Sequence, residues 1–192
     1  TGTEEPAKPR VIVTSDGEID DECSMVRFLL YTNEWDVEGI VTSSSQYHWH
    51  GHRWAGDDWL DPYLEAYAEV FPNLLLHDPD FPEAEDLHEL VKQGLPLYGM
   101  EAVGEGMDSE GSDWIIQVLE KDDDRPVWVS VWGGSNTLAQ ALWKIRETRS
   151  KSEAARLIAK LRVYTISDQD DSGPWLRREF TDLFYVVSPG NY

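Results

Sequence analysis

The sequence has a single cysteine, few basic residues and no long apolar run. Cys23 is the one cysteine among 192 residues, so an internal disulfide is excluded. It falls in an apolar helical pattern, which predicts a small buried side chain rather than a reactive nucleophile. No apolar stretch approaches the roughly 20 residues that a membrane-spanning helix needs. A membrane protein is therefore not expected.

The scarcity of basic residues also limits the possible partners. The 16 Lys and Arg residues face 37 Asp and Glu residues, which gives a formal net charge of -21. A surface of this charge repels the phosphates of nucleic acids and of anionic membranes. Neither is expected as a partner, whereas a metal cation or a neutral polymer such as a saccharide fits the charge.

The first ten residues lack the apolar core of a signal peptide, because they are polar and include two prolines. A stretch of this kind is also what remains after a signal peptide has been removed, and on that interpretation we expect a secreted or periplasmic protein. Residues 1–9 are predicted to be extended. Residues 10–192 are predicted to form one domain, since the length suits a single core.

Tryptophan, in contrast, is abundant, with 9 residues in the chain. Tryptophan is rarely buried completely, so an excess is typical of clefts that bind flat or apolar faces, as sugar rings offer. A tryptophan-rich core is an equally open interpretation for any single one of them. The loop at 47–59 combines tryptophans with alternating histidines, which favours a saccharide.

Hydrophobic patterning predicts an α/β domain with a Rossmann-like, mostly parallel sheet flanked by helices. Strands are predicted at 10–14, 37–41, 126–131, 162–166 and 184–187. Helices are predicted after residue 21, from residue 61, and at 112–120, 136–148 and 153–161. In the first of these helices Met25, Val26, Leu29 and Leu30 are expected to share one buried face. Residues 72–112 are predicted to be loop with short helical pieces.

Polar segments follow four of the predicted strands, at 15–21, 42–52, 132–136 and 167–171. Ligands of parallel α/β sheets bind beyond the carboxyl ends of the strands. We therefore expect these four segments to converge on one binding site.

The first segment places Asp16, Asp20 and Asp21 on one tight turn. Three carboxylates this close repel one another unless a cation lies among them, and calcium is the natural choice for an oxygen-only site. The alternative is a helix N-terminus, where acidic residues are favoured by the helix dipole. That alternative explains Asp20 or Asp21, but not both together with Asp16, so the metal site is favoured.

Several stretches carry a resemblance to a known family. The run VIVTSDGEIDD at 11–21 resembles the strand-and-turn signature of nucleoside hydrolases, and EGIVT at 38–42 and VSVWGGSNTLA at 129–139 are similar to later elements of that family. More closely, SSQYHWHG at 44–51, WGGSNTLAQAL at 132–142 and ISDQDDSGPW at 166–175 resemble the nucleoside-hydrolase-like domain of the Sde182 cellulose-binding protein family. The resemblance covers nearly all of residues 9–189.

The resemblance implies roles for individual residues. Asp16 would bind calcium and take a proton from the attacking water, Asp21 would be a bidentate calcium ligand, and Asp20 would hold a sugar hydroxyl. The backbone carbonyl of Trp132 would be a further calcium ligand, at a position where nucleoside hydrolases usually have Thr. Gln46 falls where those enzymes have a sugar-binding Asn.

Other polar residues at the same edge are candidates for saccharide contacts. His48, Trp49 and His50 lie in the loop after the second strand. The alternating histidines could instead bind a transition metal, but the aspartates already suggest a hard cation, so substrate contact is favoured. Asn136 follows the strand at 126–131. Asp168 and Asp170 follow the strand at 162–166, where a turn with a helix cap is an equally open interpretation.

The favoured function is a calcium-dependent glycoside hydrolase that acts on a plant or microbial saccharide. One alternative is a non-catalytic cellulose-binding or other carbohydrate-binding module on the same fold, and another is a nucleoside N-ribohydrolase. The resemblance implies that a further calcium ligand and the leaving-group acid lie beyond residue 192. We therefore expect an incomplete C-terminus, with a missing segment or a homo-oligomer completing the site.

Overall fold

The fold is a six-stranded parallel sheet flanked by seven helices in the part of the chain that is described. A computed structural model describes residues 7–47, 56 and 58–189. The strands are β1 (Arg10–Ser15), β2 (Asp36–Thr42), β3 (Val91–Lys92), β4 (Val127–Val131), β5 (Leu161–Ile166) and β6 (Phe184–Ser188). The α-helices are α1 (Ile19–Leu29), α2 (Asp61–Leu74), α3 (Ala84–Glu89), α4 (Glu110–Glu120), α5 (Asn136–Thr148), α6 (Lys151–Ala159) and α7 (Ser172–Glu179). Short 3₁₀ turns occur at Thr32–Glu34 and Gly99–Ala102.

The strand order is β3-β2-β1-β4-β5-β6, and every pair in it is parallel. This is the order of a doubly wound Rossmann-like sheet, in which the chain reverses its direction of travel between β1 and β4. The predicted fold class is confirmed. The reversal also opens a crevice at the carboxyl ends of β1 and β4, which is where such folds bind ligands.

Two apolar clusters hold the layers together. On one face Ile12, Val129 and Val163 pack against residues of α4, α5 and α6, including Leu142 and Leu157. On the other face Val13 and Ile40 pack against α1, α2 and α3 through residues such as Met25, Leu64 and Leu87. The strands alternate between the two clusters because successive side chains point to opposite faces of a sheet.

A buried charge network fixes the opposite, amino-terminal edge of the sheet. Arg10 at the start of β1 is fully buried, and its Nε donates a hydrogen bond of 2.5 Å to Glu38 of β2. Its Nη2 donates to the carbonyl of Val118 at 3.0 Å. A buried guanidinium needs such partners, so the network holds β1 in place against β2 and α4.

The predicted strands and helices are all present with small shifts at their ends, but two elements were not foreseen. These are the two-residue β3, which is too short to show a pattern, and α7, whose sequence SGPWLRRE resembles a turn. The predicted buried face of α1 is half wrong: Met25 and Leu29 are buried, whereas Val26 and Leu30 are exposed. The prediction of a buried Cys23 is also wrong, because its side chain is exposed on the same helix. Within the described ranges, no helix is both long and apolar enough to cross a membrane.

Candidate functional site

The turn between β1 and α1 brings two carboxylates together in the interior. Gly17 turns the chain with a φ of 71°, a conformation that glycine adopts without steric cost. Asp16 is 2% exposed and Asp21 is 4% exposed. Oδ2 of Asp21 accepts hydrogen bonds from the Ser15 hydroxyl at 2.6 Å and from the Asp16 backbone N–H at 3.2 Å. Local hydrogen bonds therefore hold the Asp21 carboxyl against residue 16.

The pKa of Asp21 reflects its burial. The pKa of Asp21 is raised to about 8. Burial is the largest cause, and the hydrogen bond with the Asp16 carboxylate raises the pKa further. Oδ2 of Asp16 is buried and has no hydrogen-bond partner. Two carboxylates in such contact favour a state that shares one proton. A cation placed among them would take over the role of that proton.

Asp20, the third aspartate of the turn, is exposed in the first turn of α1. Its charge contributes to the raised pKa of Asp21, so it lies close to the pair without being buried with it. Across the ranges that the structure covers, no three His, Cys, Asp or Glu side chains are grouped so as to hold a metal ion. The turn thus brings together two of the three aspartates.

Two glycines after β4 make room for the polar groups of the site. The Trp132 backbone N–H continues the β1–β4 ladder by donating to the Thr14 carbonyl at 2.8 Å. A Cβ at residue 133 would lie 2.8 Å from Cγ of Asp16, and a Cβ at residue 134 would lie 1.9 Å from the Ser44 carbonyl oxygen and 2.3 Å from Oδ2 of Asp170. A contact below 3.0 Å forces the neighbouring atoms to move, so glycine at both positions leaves room for Asp16, Ser44 and Asp170.

The carbonyl of Trp132 has a side-chain partner in the polar segment 167–171. Nε2 of Gln169, which follows β5, donates a short hydrogen bond to it. Gln169 is buried, and its Oε1 has no hydrogen-bond partner. Its position beyond the carboxyl end of β5 was the available signal, but glutamine has no strong motif of its own.

Asp170 is a third buried carboxyl at this edge. Its Oδ1 accepts from the Ser172 backbone N–H at 2.9 Å and from the Ser172 hydroxyl at 2.5 Å, while its Oδ2 has no partner. Burial raises the pKa of Asp170 to about 6, although the bonds from Ser172 oppose the shift. Asp170 therefore lies at the N-terminus of α7. One of its carboxyl oxygens is hydrogen-bonded to Ser172, and the other is directed towards Gly134.

Asp168 is arranged differently, because it is exposed and both of its oxygens accept hydrogen bonds of 2.8 Å from Arg177. This bidentate ion pair connects the turn after β5 to α7. A saccharide contact by Asp168 remains a prediction, and it would compete with Arg177.

The loop after β2 is held by Asn136 and Gln169. Oδ1 of Asn136 accepts from the Ser44 backbone N–H at 3.2 Å, and its Nδ2 donates to the carbonyls of Leu95 and Leu97, each at 3.1 Å. Asn136 is fully buried, so its observed contacts position the loop. Gln46 is exposed, and its backbone N–H donates to the Gln169 carbonyl at 2.8 Å.

The predicted saccharide contacts His48, Trp49 and His50 lie outside the described residues, as does Trp54. Trp59, at the end of the same loop, is half-buried beside Tyr63 with ring centroids 6.2 Å apart. Its Nε1 is buried without a hydrogen-bond partner. A role for this loop in saccharide binding stays a prediction.

The residues at the end of β1 fit a hard cation. Asp16 offers a buried carboxylate oxygen without a hydrogen-bond donor, Asp21 adds a second buried carboxyl, and Trp132 adds a main-chain carbonyl. All of these ligand atoms are oxygens, which calcium prefers. The Trp132 carbonyl would have to accept the cation beside the Gln169 amide, which its second lone pair permits.

The chain also resembles known proteins in sequence and in fold. Residues 10–192 match the model of a family described as cellulose-binding Sde182, nucleoside hydrolase-like domain. A solved structure, a nucleoside hydrolase-related hypothetical protein from Saccharophagus degradans that is associated with carbohydrate metabolism, is 40% identical with a TM-score of 0.89, covering 96% of this chain and 46% of its own. Among curated proteins none matches the chain.

Two nucleoside hydrolase structures are more distant. A plant nucleoside hydrolase is 16% identical with a TM-score of 0.47, covering 84% of this chain and 48% of its own. An inosine-guanosine nucleoside hydrolase is 15% identical with a TM-score of 0.44, covering 84% of this chain and 49% of its own. The chain thus spans about half the length of each of these three solved structures.

Proposed function

Because the chain belongs to the family of cellulose-binding Sde182 nucleoside hydrolase-like domains, we propose that it is a calcium-dependent glycoside hydrolase that acts on a plant or microbial saccharide. The observation that carries the proposal is the buried Oδ2 of Asp16, which has no partner and lies at the crevice between β1 and β4. An unsatisfied buried carboxylate oxygen is costly. A position of this kind is expected where a ligand or a reacting group supplies the missing contact.

The chemistry follows from the positions of the residues. Asp16, Asp21 and the Trp132 carbonyl would hold calcium, which lowers the pKa of a bound water when present. The Asp16 carboxylate accepts the proton of the attacking water as general base. Asp20, exposed at the rim of the crevice, accepts a hydrogen bond from a sugar hydroxyl. The negative charge of the pair favours the oxocarbenium-like state in which the bond from the anomeric carbon to the leaving oxygen breaks. Water supplies the new bond to that carbon, and the leaving oxygen takes a proton from solvent.

A non-catalytic carbohydrate-binding module is the second candidate, and one observation favours it. Nε2 of Gln169 already donates a hydrogen bond to the Trp132 carbonyl, and Asp16 and Asp21 can share a proton in place of binding a cation. A domain arranged in this way can retain its fold without a cation. A nucleoside N-ribohydrolase is the third candidate, which a substrate screen distinguishes from the other two.

The deciding experiment is a screen of oligosaccharides and nucleosides, with calcium or with a chelator, on the chain and on Asp16→Asn. The amide keeps an oxygen for calcium but cannot accept the proton of the water, so turnover should fall by roughly 10² to 10⁴. Asp122→Asn, an exposed aspartate at the opposite edge, is the matched control and should match the parent.

The same substitution in the Saccharophagus degradans relative tests the site within a longer chain. Parental turnover by Asp16→Asn with calcium still bound would refute the catalytic assignment. Saccharide binding without turnover in every protein would establish the binding module instead. Turnover of nucleosides alone would establish the N-ribohydrolase.

A further inference from the structure

Among the described residues, no helix covers one half of one sheet face. On β4, β5 and β6 the side chains of this face form rows across the sheet: Trp128, Arg162 and Phe184 are in register, and Ser130, Tyr164 and Val186 form the next row. Ile166 adjoins them at the end of β5. The five large apolar residues of this open sheet face, Trp128, Tyr164, Ile166, Phe184 and Val186, are between 40% and 46% exposed.

On the other half of the sheet the same face is covered by helices. Val11 is in register with Trp128, and Val13 is in register with Ser130. Val13 is buried under α1 together with Met25 and Phe28, and α2 and α3 complete that layer. Parallel sheets are normally covered by helices on both faces. For the residues that the structure describes, the covering layer stops at β1 while the sheet continues for three more strands.

The chemistry of the open sheet face suits a polypeptide. In a chain with 37 acidic residues it carries no carboxylate, and its one charged residue, Arg162, lies 5.4 Å from the ring centroid of Phe184. A contiguous exposed apolar patch with depleted charge is typical of a protein interface. The rings of Trp128 and Phe184 cross at 80°, so they do not form the flat platform that would suit a sugar ring.

A groove leads from the open sheet face towards α1. Its volume is about 360 Å³, and Val11, Phe28, Trp35, Trp128 and Trp132 are among the residues that line it. Phe28 and Trp35 stack with ring centroids 4.9 Å apart at the boundary with the covered half. The groove offers a position for apolar side chains of a layer that continues the one formed by α1.

We propose that the open sheet face binds a helical layer of polypeptide. This layer is equivalent to the part of the Saccharophagus degradans relative that does not align with this chain. That relative is 40% identical over 96% of this chain, yet the match covers 46% of its own length. More than half of the relative is therefore available to cover the corresponding face. The layer can be joined to this chain or separate from it, and its docking does not depend on the proposed function.

The test mixes the 192-residue chain with the unmatched part of the relative, expressed as a separate polypeptide. We expect a one-to-one complex by size-exclusion chromatography with light scattering, and slower amide hydrogen exchange in β4, β5 and β6. Trp128→Asp and Phe184→Asp should each weaken the complex at least about tenfold, since each places a charge in a desolvated contact. Leu76→Asp, at a site that is 84% exposed just after α2, is the matched control and should not weaken it.

A covalent fusion repeats the test with the two polypeptides linked, so that each is at a high effective concentration near the other. The fusion should protect β4 to β6 from exchange, and Trp128→Asp in the fusion should remove that protection. If neither the mixture nor the fusion gains protection in these strands, the proposal is overturned. It is also overturned if the two Asp variants behave like Leu76→Asp, if cello-oligosaccharides protect the strands instead, or if the chain alone forms a dimer that the same variants dissociate.

Discussion

Gly133 and Asp16 face each other across the junction of β1 and β4, so closely that a Cβ on residue 133 would lie 2.8 Å from Cγ of Asp16. The absence of a side chain at residue 133 therefore determines where the Asp16 carboxylate can lie. The shape of the crevice at the carboxyl ends of β1 and β4 therefore depends on Gly133 and Asp16.

The first prediction follows from that contact. Gly133→Ala should displace the Asp16 side chain and lower calcium affinity, with a loss of stability of about 1 to 3 kcal/mol from overpacking. The backbone at residue 133 does not require glycine for its φ, so the fold should persist. Calcium titration by calorimetry and the far-ultraviolet circular dichroism spectrum provide the measurements. Unchanged calcium binding in the variant would show that Asp16 is not a ligand.

Calcium should stabilise the folded chain. A ligand that binds only the folded state adds about 2.7 kcal/mol at 100 times its dissociation constant, which corresponds to a rise in Tm of about 5 to 10 °C for a domain of this size. Asp21→Ala should lose most of the rise, whereas Asp122→Ala, an exposed aspartate at the other edge, should keep it. A Tm that neither calcium nor a chelator changes would contradict the metal site.

Stability should depend on pH through Asp170. Burial raises its folded-state pKa from 3.8 to about 6. The folded state therefore holds the proton more tightly than the unfolded state. The stabilising contribution is complete below about pH 4 and is lost as the pH rises through about 6. The two pKa values differ by about 2 units, so the change is about 3 kcal/mol.

Asp170→Asn should remove this dependence, because the amide resembles the protonated acid and still accepts the bonds from Ser172. Relative to the parent, the variant should gain free energy of unfolding between about pH 4 and pH 7, as measured by urea unfolding. The exposed Asp122→Asn serves as the control for general charge effects. Parallel pH profiles of Asp170→Asn and the parent would show that the pKa of Asp170 is not raised by folding.

Saccharide affinity should depend on the tryptophans of the loop after β2. Trp49→Ala, Trp54→Ala or Trp59→Ala should weaken oligosaccharide binding, because an indole face contributes strongly to contact with a sugar ring. Trp128→Ala, on the open sheet face, is the matched control and should bind as the parent does. If all three loop variants bind the oligosaccharide as tightly as the parent, the loop has a structural role.

Local sequence determined the architecture of this protein because its signals act over a few residues. β-branched runs such as that of β1, the helical spacing of α5 and the polar segments after the strands each depend on neighbouring side chains. They were sufficient to predict the parallel α/β sheet and the edge at which polar residues gather. The two elements that local pattern missed are the two-residue β3 and α7, whose Gly and Pro resemble a turn.

Tertiary structure alone decided which of those polar residues meet. Asp16 and Asp21 are buried together while Asp20 is exposed, because the helix that follows Gly17 turns successive residues by about 100°. Gln169 reaches the Trp132 carbonyl across 37 positions of chain, and Asp168 pairs with Arg177 of the unforeseen α7. Such contacts depend on how strands and helices pack at long range. The same packing leaves one face of β4 to β6 without a covering layer in the part of the chain that the structure describes.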